Sequence, residues 1–153
     1  MTAPIPFEGG CACGAVRYRC AAAPFVSYAC HCTACQKRTG SAFGVSVQVP
    51  AEAVSILEGA PKSRARIADS GNELHSYFCG DCGTTVYGVS SARPRVRTLM
   101  AGSIDDPSWV PIQANIWTRS ALPWVHLSQA IDNFPKAGDW TAFYASDRSR
   151  LEP

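Results

Sequence analysis

Apolar residues recur at every second position along two stretches of the chain. Val16, Tyr18 and Cys20 share one face of the first stretch, and every second residue from Phe43 to Val49 shares one face of the second. A period of two is typical of a half-buried β-strand, whereas an amphipathic helix repeats about every 3.6 residues. Six further segments with strand-forming residues are predicted as strands: 55–57, 64–67, 74–79, 84–89, 96–102 and 113–118.

Clusters of glycine and proline separate these strands. The chain contains 12 Gly and 11 Pro, and pairs such as Gly9-Gly10 mark the predicted turns. Short strands between regular turn signals indicate a mainly β protein of antiparallel sheets, which we predict as one domain over residues 1–153.

Two short helical segments interrupt the predicted strands. A helix is predicted over Thr33–Thr39, where Gly40 would supply a left-handed cap and basic residues occupy the last turn. A second turn of helix is predicted at 130–134. The polar end of the chain, from about residue 144 to 153, is predicted to be a flexible tail.

Composition and charge exclude several functional classes. The 153 residues are 46% hydrophobic and only 17% charged, and the net charge is +2. This balance excludes a disordered chain and argues against a strongly basic nucleic-acid binder. No stretch is long and apolar enough to predict a membrane span, and the first ten residues lack the pattern of a signal peptide. We therefore expect a cytoplasmic protein that binds neither membrane nor nucleic acid; its oligomeric state cannot be predicted from the sequence.

The eight cysteines are the main chemical signal. A reducing cytoplasm disfavours disulfides, so these cysteines are first interpreted as metal ligands or catalytic thiols. Tetrahedral zinc with bonds of about 2.3 Å to sulfur needs sulfur atoms roughly 3.8 Å apart, which the spacings CxC and CxxC allow. One group with these spacings comprises Cys11, Cys13, Cys79 and Cys82, and another comprises Cys30, Cys32 and Cys35.

The two groups predict different kinds of site. Four thiolates would complete a closed, structural zinc site, with a redox dithiol at Cys79 and Cys82 as the alternative. Three thiolates would leave one coordination position open, as in a catalytic zinc site. Cys20 could complete this second site, but its place on the apolar face of Val16 and Tyr18 favours a buried, inert thiol.

Three residues beside the three-cysteine group are candidates for substrate binding. Lys37 and Arg38 follow Cys35 closely and could attract an anionic substrate, although a role at the helix end explains them equally well. In an extended segment, His31 would point away from its two cysteine neighbours. It could therefore form a hydrogen bond or face the substrate.

The cysteine motifs resemble those of a known family. They read GGCACGAVRY at 9–18, CHCTAC at 30–35 followed by GSAF at 40–43, and FCGDCG at 78–83. This pattern is similar to the glutathione-dependent formaldehyde-activating enzyme family, often grouped with the centromere protein V domain, over about residues 9–124. The resemblance implies an Mss4-like β fold and two zinc ions per chain. It assigns the structural zinc to the four-cysteine group and the catalytic zinc to the three-cysteine group.

The resemblance also implies an activity. The family synthesises S-(hydroxymethyl)glutathione, a carbon–sulfur lyase reaction written in reverse, from glutathione and formaldehyde. A small-molecule thiol such as glutathione is the expected partner, with formaldehyde or a related aldehyde. Many members carry a histidine near the position of Asn115, where this chain has none. Two alternatives remain at this point: a non-catalytic, zinc-stabilised binding or scaffold module, and a redox protein.

Overall fold

A computed structural model describes residues 3–144 and shows two β-sheets with two short helices. The strands are β1 (Phe7–Gly10), β2 (Arg17–Cys20), β3 (Val26–Cys30), β4 (Gly44–Pro50), β5 (Val54–Glu58), β6 (Lys62–Ile67), β7 (Glu73–Phe78), β8 (Thr85–Ser90), β9 (Arg93–Met100), β10 (Ala114–Ile116) and β11 (Asp132–Phe134). The helices are α1 (Thr33–Thr39) and α2 (Trp140–Phe143), and 3₁₀ turns occupy Ala51–Ala53, Ala101–Ser103 and Thr118–Ser120.

The smaller sheet has the strand order β1-β2-β5, and the larger has β11-β10-β3-β4-β9-β8-β7-β6. All pairs are antiparallel except those of β10, which runs parallel to both β3 and β11. The predicted mainly β fold is confirmed, and the parallel strand is a departure from purely antiparallel sheets. Its consequence is local: Ile116 of β10 lies beside Cys30 of β3, which brings a distant part of the chain next to the three-cysteine group.

The apolar faces predicted from the period of two form the main core. Tyr18, Val47 and Leu99 are fully buried within one cluster, and Cys20 lies in the same cluster. A second cluster contains Tyr28 and Cys30 of β3 together with Ile116, and Trp140 of α2 packs against it. The three-cysteine group therefore sits at the edge of a packed apolar region.

The predicted helix α1 is confirmed with the same bounds, and Gly40 caps it in the left-handed conformation with φ of 62°. The helical turn predicted at 130–134 is wrong. Residues 132–134 form β11, because they pair in parallel with β10 and this pairing overrides the local preference.

Tyr144 belongs to the core, although the predicted tail began there. Its side chain is buried, and its hydroxyl donates a hydrogen bond to Oε1 of Gln48 in β4. The rest of the predicted tail, 145–153, lies outside the described residues. Neither α1 nor α2 has the length and hydrophobicity that a membrane-crossing helix needs.

Candidate metal-binding sites

The structure brings together the same two groups of cysteines that the spacing predicted. In the four-cysteine group, all sulfur atoms lie within 4.8 Å of one another. The Sγ atoms of Cys11 and Cys13 are 3.5 Å apart, and those of Cys13 and Cys79 are 3.7 Å apart. Since a tetrahedral thiolate site needs about 3.8 Å between sulfurs, these residues fit one metal ion of the size of zinc.

Two turns hold the four-cysteine group. One follows β1, where the N–H of Gly14 donates to the carbonyl of Cys11 at 3.1 Å. The other follows β7, where the N–H of Gly83 donates to the carbonyl of Cys79 at 3.0 Å. Both glycines have φ near +80°, a left-handed conformation that other residues adopt at a cost. A metal ion at this site would join the first strand of the smaller sheet to the β7–β8 turn of the larger one.

Hydrogen bonds from the chain lower the pKa of two thiols in this group, Cys11 and Cys82, whereas the pKa of Cys13 is raised to about 12. The backbone N–H of Val16 donates to Sγ of Cys11 at 3.2 Å. The hydroxyl of Thr84 lies 3.2 Å from Sγ of Cys82. Together with backbone N–H groups of Thr84 and Cys13, that hydroxyl lowers the pKa of Cys82 to about 5. A depressed thiol pKa means that less proton release opposes metal binding at neutral pH.

The three-cysteine group lies where β3 ends and α1 begins. Cys30 is the last residue of β3, Cys32 caps the N-terminus of α1, and Cys35 lies in its first turn. Their sulfur atoms also lie within 4.8 Å of one another. Over residues 3–144, the group includes no fourth Cys, His, Asp or Glu ligand. Cys30 is buried, whereas Cys32 and Cys35 are partly exposed, so the group opens towards solvent on one side.

The three thiols do not titrate alike. Hydrogen bonds from the thiols of Cys30 and Cys35 hold the pKa of Cys32 far below its ordinary value. Because Cys30 donates to both neighbours and is buried, its pKa is raised. The backbone N–H of Cys35 also donates to Sγ of Cys32 at 3.4 Å. These hydrogen bonds favour the thiolate form of Cys32, the residue that caps the N-terminus of α1.

Arg38 contacts the three-cysteine group directly, and Lys37 does not. Nη2 of Arg38 donates to Sγ of Cys35 at 3.6 Å, and Nη1 lies 2.6 Å from Sδ of Met100. The Lys37 side chain is exposed on the same helix. Arg38 also lines a cavity of about 320 Å³ with residues of β4, the Gly83–Thr85 segment and the turn at Ala101–Ser103. One wall of this cavity is therefore the residue that contacts Cys35, and another is the segment that follows Cys82.

A second cavity lies elsewhere on the molecule. It has a volume of about 520 Å³ and lies beside α2 and β11, and its lining contains no cysteine. The cavity of about 320 Å³ is the one linked to the candidate site, because Arg38, which lines it, also contacts Sγ of Cys35.

His31 is buried and does not face solvent. Only 1% of its surface is exposed, and its ring lies against Phe43 with 5.1 Å between the centroids. Nε2 of His31 lies 3.0 Å from Oδ1 of Asn115, whose amide nitrogen donates to Oδ1 of Asn133 at 2.9 Å. The expectation of a hydrogen-bonding role is met, and Asn115 is its partner at the position where the family pattern had suggested a histidine.

Sequence reasoning missed the polar residues that surround His31. Gln36, Asn115 and Ser120 all form hydrogen bonds with this residue. Asn115 and Ser120 are 84 and 89 positions away from His31 in sequence, so no local pattern predicts these contacts. Cys20, in contrast, lies where predicted: it is fully buried outside both groups, and burial raises the pKa of its thiol.

Comparison with known proteins places these sites in a family context. A family model described as "Glutathione-dependent formaldehyde-activating enzyme" matches residues 6–120, a region that includes both cysteine groups. A Penicillium rubens protein named for that family is 36% identical over 62 residues, covering 40% of this chain and 31% of its own length. An Emericella nidulans protein of the same name is 37% identical over 62 residues, covering 40% of this chain and 30% of its own length. The matched region thus spans about a third of the length of these curated relatives.

A solved structure supports the fold. The crystal structure of a Rhodobacter sphaeroides protein aligns with 82% of this chain and 98% of its own, with a TM-score of 0.50 and 14% identity. At this identity the likeness concerns the arrangement of strands and helices alone.

Proposed function

The chain belongs to the glutathione-dependent formaldehyde-activating enzyme family, and from this premise we propose that it is a zinc-dependent carbon–sulfur lyase of the S-(hydroxymethyl)glutathione synthase type. Its substrates would be a glutathione-like thiol and formaldehyde or a related small aldehyde. The observation that carries the proposal is the group of Cys30, Cys32 and Cys35, which offers three sulfur ligands and is partly exposed. Zinc sites with three protein ligands and one free position are typical of catalysis, whereas four-thiolate sites are structural.

The reaction needs a thiolate and involves no oxidation or reduction. The thiol sulfur adds to the aldehyde carbon, so a carbon–sulfur bond forms while the carbonyl π bond opens. The thiol proton ends on the new hydroxyl group. The lyase direction is the reverse, in which the carbon–sulfur bond breaks. A free thiol with a pKa near 8.5 is only a few per cent ionised at pH 7, so an activating group is required.

Cys30, Cys32 and Cys35 would hold the zinc ion, which when bound supplies positive charge that lowers the pKa of a thiol or polarises a carbonyl at the free position. The chain itself would balance the charge of three thiolates. Nη2 of Arg38 already contacts Sγ of Cys35 at 3.6 Å. This contact supports a role for Arg38 in keeping the site from becoming too negative to accept an anionic thiol.

The same guanidinium supports a role in substrate binding. Arg38 lines the cavity of about 320 Å³ beside the site, where it can meet a carboxylate of the incoming thiol. The exposed Lys37 would add positive charge at the entrance and attract anions over a longer range. We assign His31 to positioning, because its buried ring is bonded to Asn115 and does not reach solvent.

The four-cysteine group is proposed to hold a second, structural zinc ion. It ties the turn after β1 to the turn after β7, two parts of the chain that are 66 residues apart at Cys13 and Cys79. Both zinc ions could also belong to a non-catalytic scaffold, which is the alternative function. A cytoplasmic location is part of the proposal, since reducing conditions keep the cysteines available as ligands.

Nuclear magnetic resonance of glutathione and formaldehyde at equilibrium tests the activity. The zinc-loaded protein should accelerate exchange between free glutathione and its S-hydroxymethyl adduct above the rate in buffer. Cys35→Ala should lose this acceleration, whereas Cys20→Ala, which changes a buried cysteine outside both groups, should keep it. An exchange rate equal to that of buffer in the zinc-loaded wild type would favour the scaffold and exclude the named reaction.

A further inference from the structure

The peptide between two of the candidate zinc ligands is held from several sides. The carbonyl of His31 accepts hydrogen bonds from Nε2 of Gln36 at 2.8 Å and from the hydroxyl of Ser120 at 3.0 Å. The N–H of His31 donates to the carbonyl of Ile116 at 3.0 Å. His31 stands between Cys30 and Cys32, so these bonds fix the stretch of backbone that sets the separation of two sulfur atoms.

Gln36 connects this stretch to two other elements. It lies in α1 directly after Cys35, and its Nε2 also donates to the carbonyl of Ser120 at 2.8 Å. One amide group thus ties α1, the His31 peptide and the 3₁₀ turn Thr118–Ser120 together. This amide therefore joins the segments that carry the three-cysteine group, because Cys30 and Cys32 flank His31 and Cys35 lies in α1.

The turn that supplies Ser120 carries an unusual backbone conformation. Trp117 has φ of 58° and ψ of 37°, and it is the one residue other than glycine with positive φ over residues 3–144. Bulky side chains are rare in this left-handed region because the Cβ atom crowds the backbone. The conformation is held by a bond from the N–H of Trp117 to the carbonyl of Lys136 at 2.7 Å and by a bond from the N–H of Ser120 to the carbonyl of Trp117 at 3.1 Å.

We propose that Gln36, Ser120 and the strained turn at Trp117 form a brace that pre-organises the three-cysteine site for its metal ion. The inference rests on the proposed function in one respect only, that this site binds zinc. Gln36, Ser120 and Trp117 are positioning residues, since none of them offers a ligand to the metal. They act by holding the His31 peptide and the start of α1 in the arrangement that keeps the three sulfur atoms together.

A site with three ligands has more need of such a brace than a site with four. The metal ion forms one bond fewer to the protein there. The entropy cost of ordering the ligands is therefore a larger fraction of the binding free energy. Strained backbone persists only where surrounding bonds over-determine it, and it concentrates at functional sites. Residues that orient metal ligands typically change affinity by about 10-fold to 100-fold when they are replaced.

Zinc release to a coloured chelator tests the brace without any measurement of catalysis. The zinc-loaded full chain should release metal in two phases, and Cys35→Ala identifies the phase of the three-cysteine site because that phase is absent from it. Ser120→Ala and Gln36→Leu should each accelerate this phase by about 10-fold to 100-fold and leave the other phase unchanged. Ser120→Thr, which keeps the hydroxyl, should restore the slower release.

Ser27→Ala is the matched control. Ser27 is a buried serine on β3 whose hydroxyl also donates to a carbonyl, that of Pro111, yet it is outside the brace. Its variant should release zinc from both sites at wild-type rates. If Ser120→Ala does not fold by circular dichroism, Gln36→Leu decides the question, since Gln36 is partly exposed on α1. Release from the three-cysteine site at the wild-type rate in the folded variants would overturn the brace. Failure of the glutathione reaction alone would overturn the proposed activity and leave the brace intact.

Discussion

Replacing one thiol in each cysteine group should separate a structural site from a reactive one. A metal ion on the four-cysteine group would cross-link Cys13 and Cys79, which are 66 residues apart. By the loop-closure entropy used for covalent cross-links, such a link stabilises the fold by about 4 kcal/mol, whereas a segment as short as Cys30 to Cys35 yields about 2 kcal/mol. Cys79 is also buried in the main core, whereas Cys35 is partly exposed. We therefore expect Cys79→Ala to cost about 4 kcal/mol or more and Cys35→Ala no more than about 2 kcal/mol.

Thermal unfolding followed by circular dichroism measures this difference. For a domain of this size, 1 kcal/mol corresponds to roughly 2–4 °C in Tm, so Cys79→Ala should lower Tm by about 8–16 °C and Cys35→Ala by at most about 8 °C. Each variant should lose about one zinc equivalent, which metal analysis of the same samples would check. If Cys35→Ala unfolds as early as Cys79→Ala, the three-cysteine group is a structural site and its assignment to catalysis is wrong.

Four further predictions concern other parts of the molecule. Trp117→Gly should be more stable than Trp117→Ala by about 1 kcal/mol, because both lose the indole and only glycine accepts a φ of 58° without strain; equal Tm values would exclude backbone strain there. Asp105→Asn should cost less than about 1 kcal/mol at pH 7 and progressively less as the pH falls below the unfolded pKa, as measured by urea unfolding. Hydrogen bonds from Arg17 lower the pKa of this half-exposed carboxyl, so its contribution is present above the unfolded pKa and disappears as the pH falls through the folded one; a cost that does not change with pH would contradict this. Tyr144→Ala should destabilise the chain by about 3 kcal/mol or more in urea unfolding, since the ring is fully buried, and a loss below about 1 kcal/mol would show that α2 does not belong to the core. Cys20→Ala should retain both zinc equivalents by metal analysis, and the loss of one would mean that this thiol is a ligand.

Elements with a local signal could be predicted from the sequence. The helix α1 has its capping glycine at Gly40 and its basic last turn in the printed chain, and the structure gives it the same bounds. The two cysteine groups could be predicted because CxC and CxxC bring sulfur atoms close whatever the surrounding fold. Strands β2 and β4 followed from alternation, since each has a face in the main core.

Elements that depend on distant partners could not be predicted from the sequence. All five residues of β3 are buried, so the strand shows no alternation to read. The pair Gly9-Gly10 predicts a turn, but Gly9 lies in β1 and pairs with Tyr18 of β2. The position requires glycine because a Cβ atom there would collide with the ring of Tyr18 and the carbonyl of Ser103. Ser120 has an ordinary loop setting, and its bond to the His31 carbonyl exists only because β10 returns beside β3.

We propose that a metal ion at the three-cysteine site would perform the chemistry and a metal ion at the four-cysteine site would maintain the fold. Titration of the zinc-loaded protein with a chelator, with activity, bound zinc and the β-sheet spectrum measured on each sample, tests it most directly. We expect the first zinc equivalent lost to remove all acceleration of S-(hydroxymethyl)glutathione formation while the spectrum stays that of the folded protein. Activity that persists after the first equivalent is gone, or unfolding that accompanies its loss, would show that the two sites do not have these separate roles.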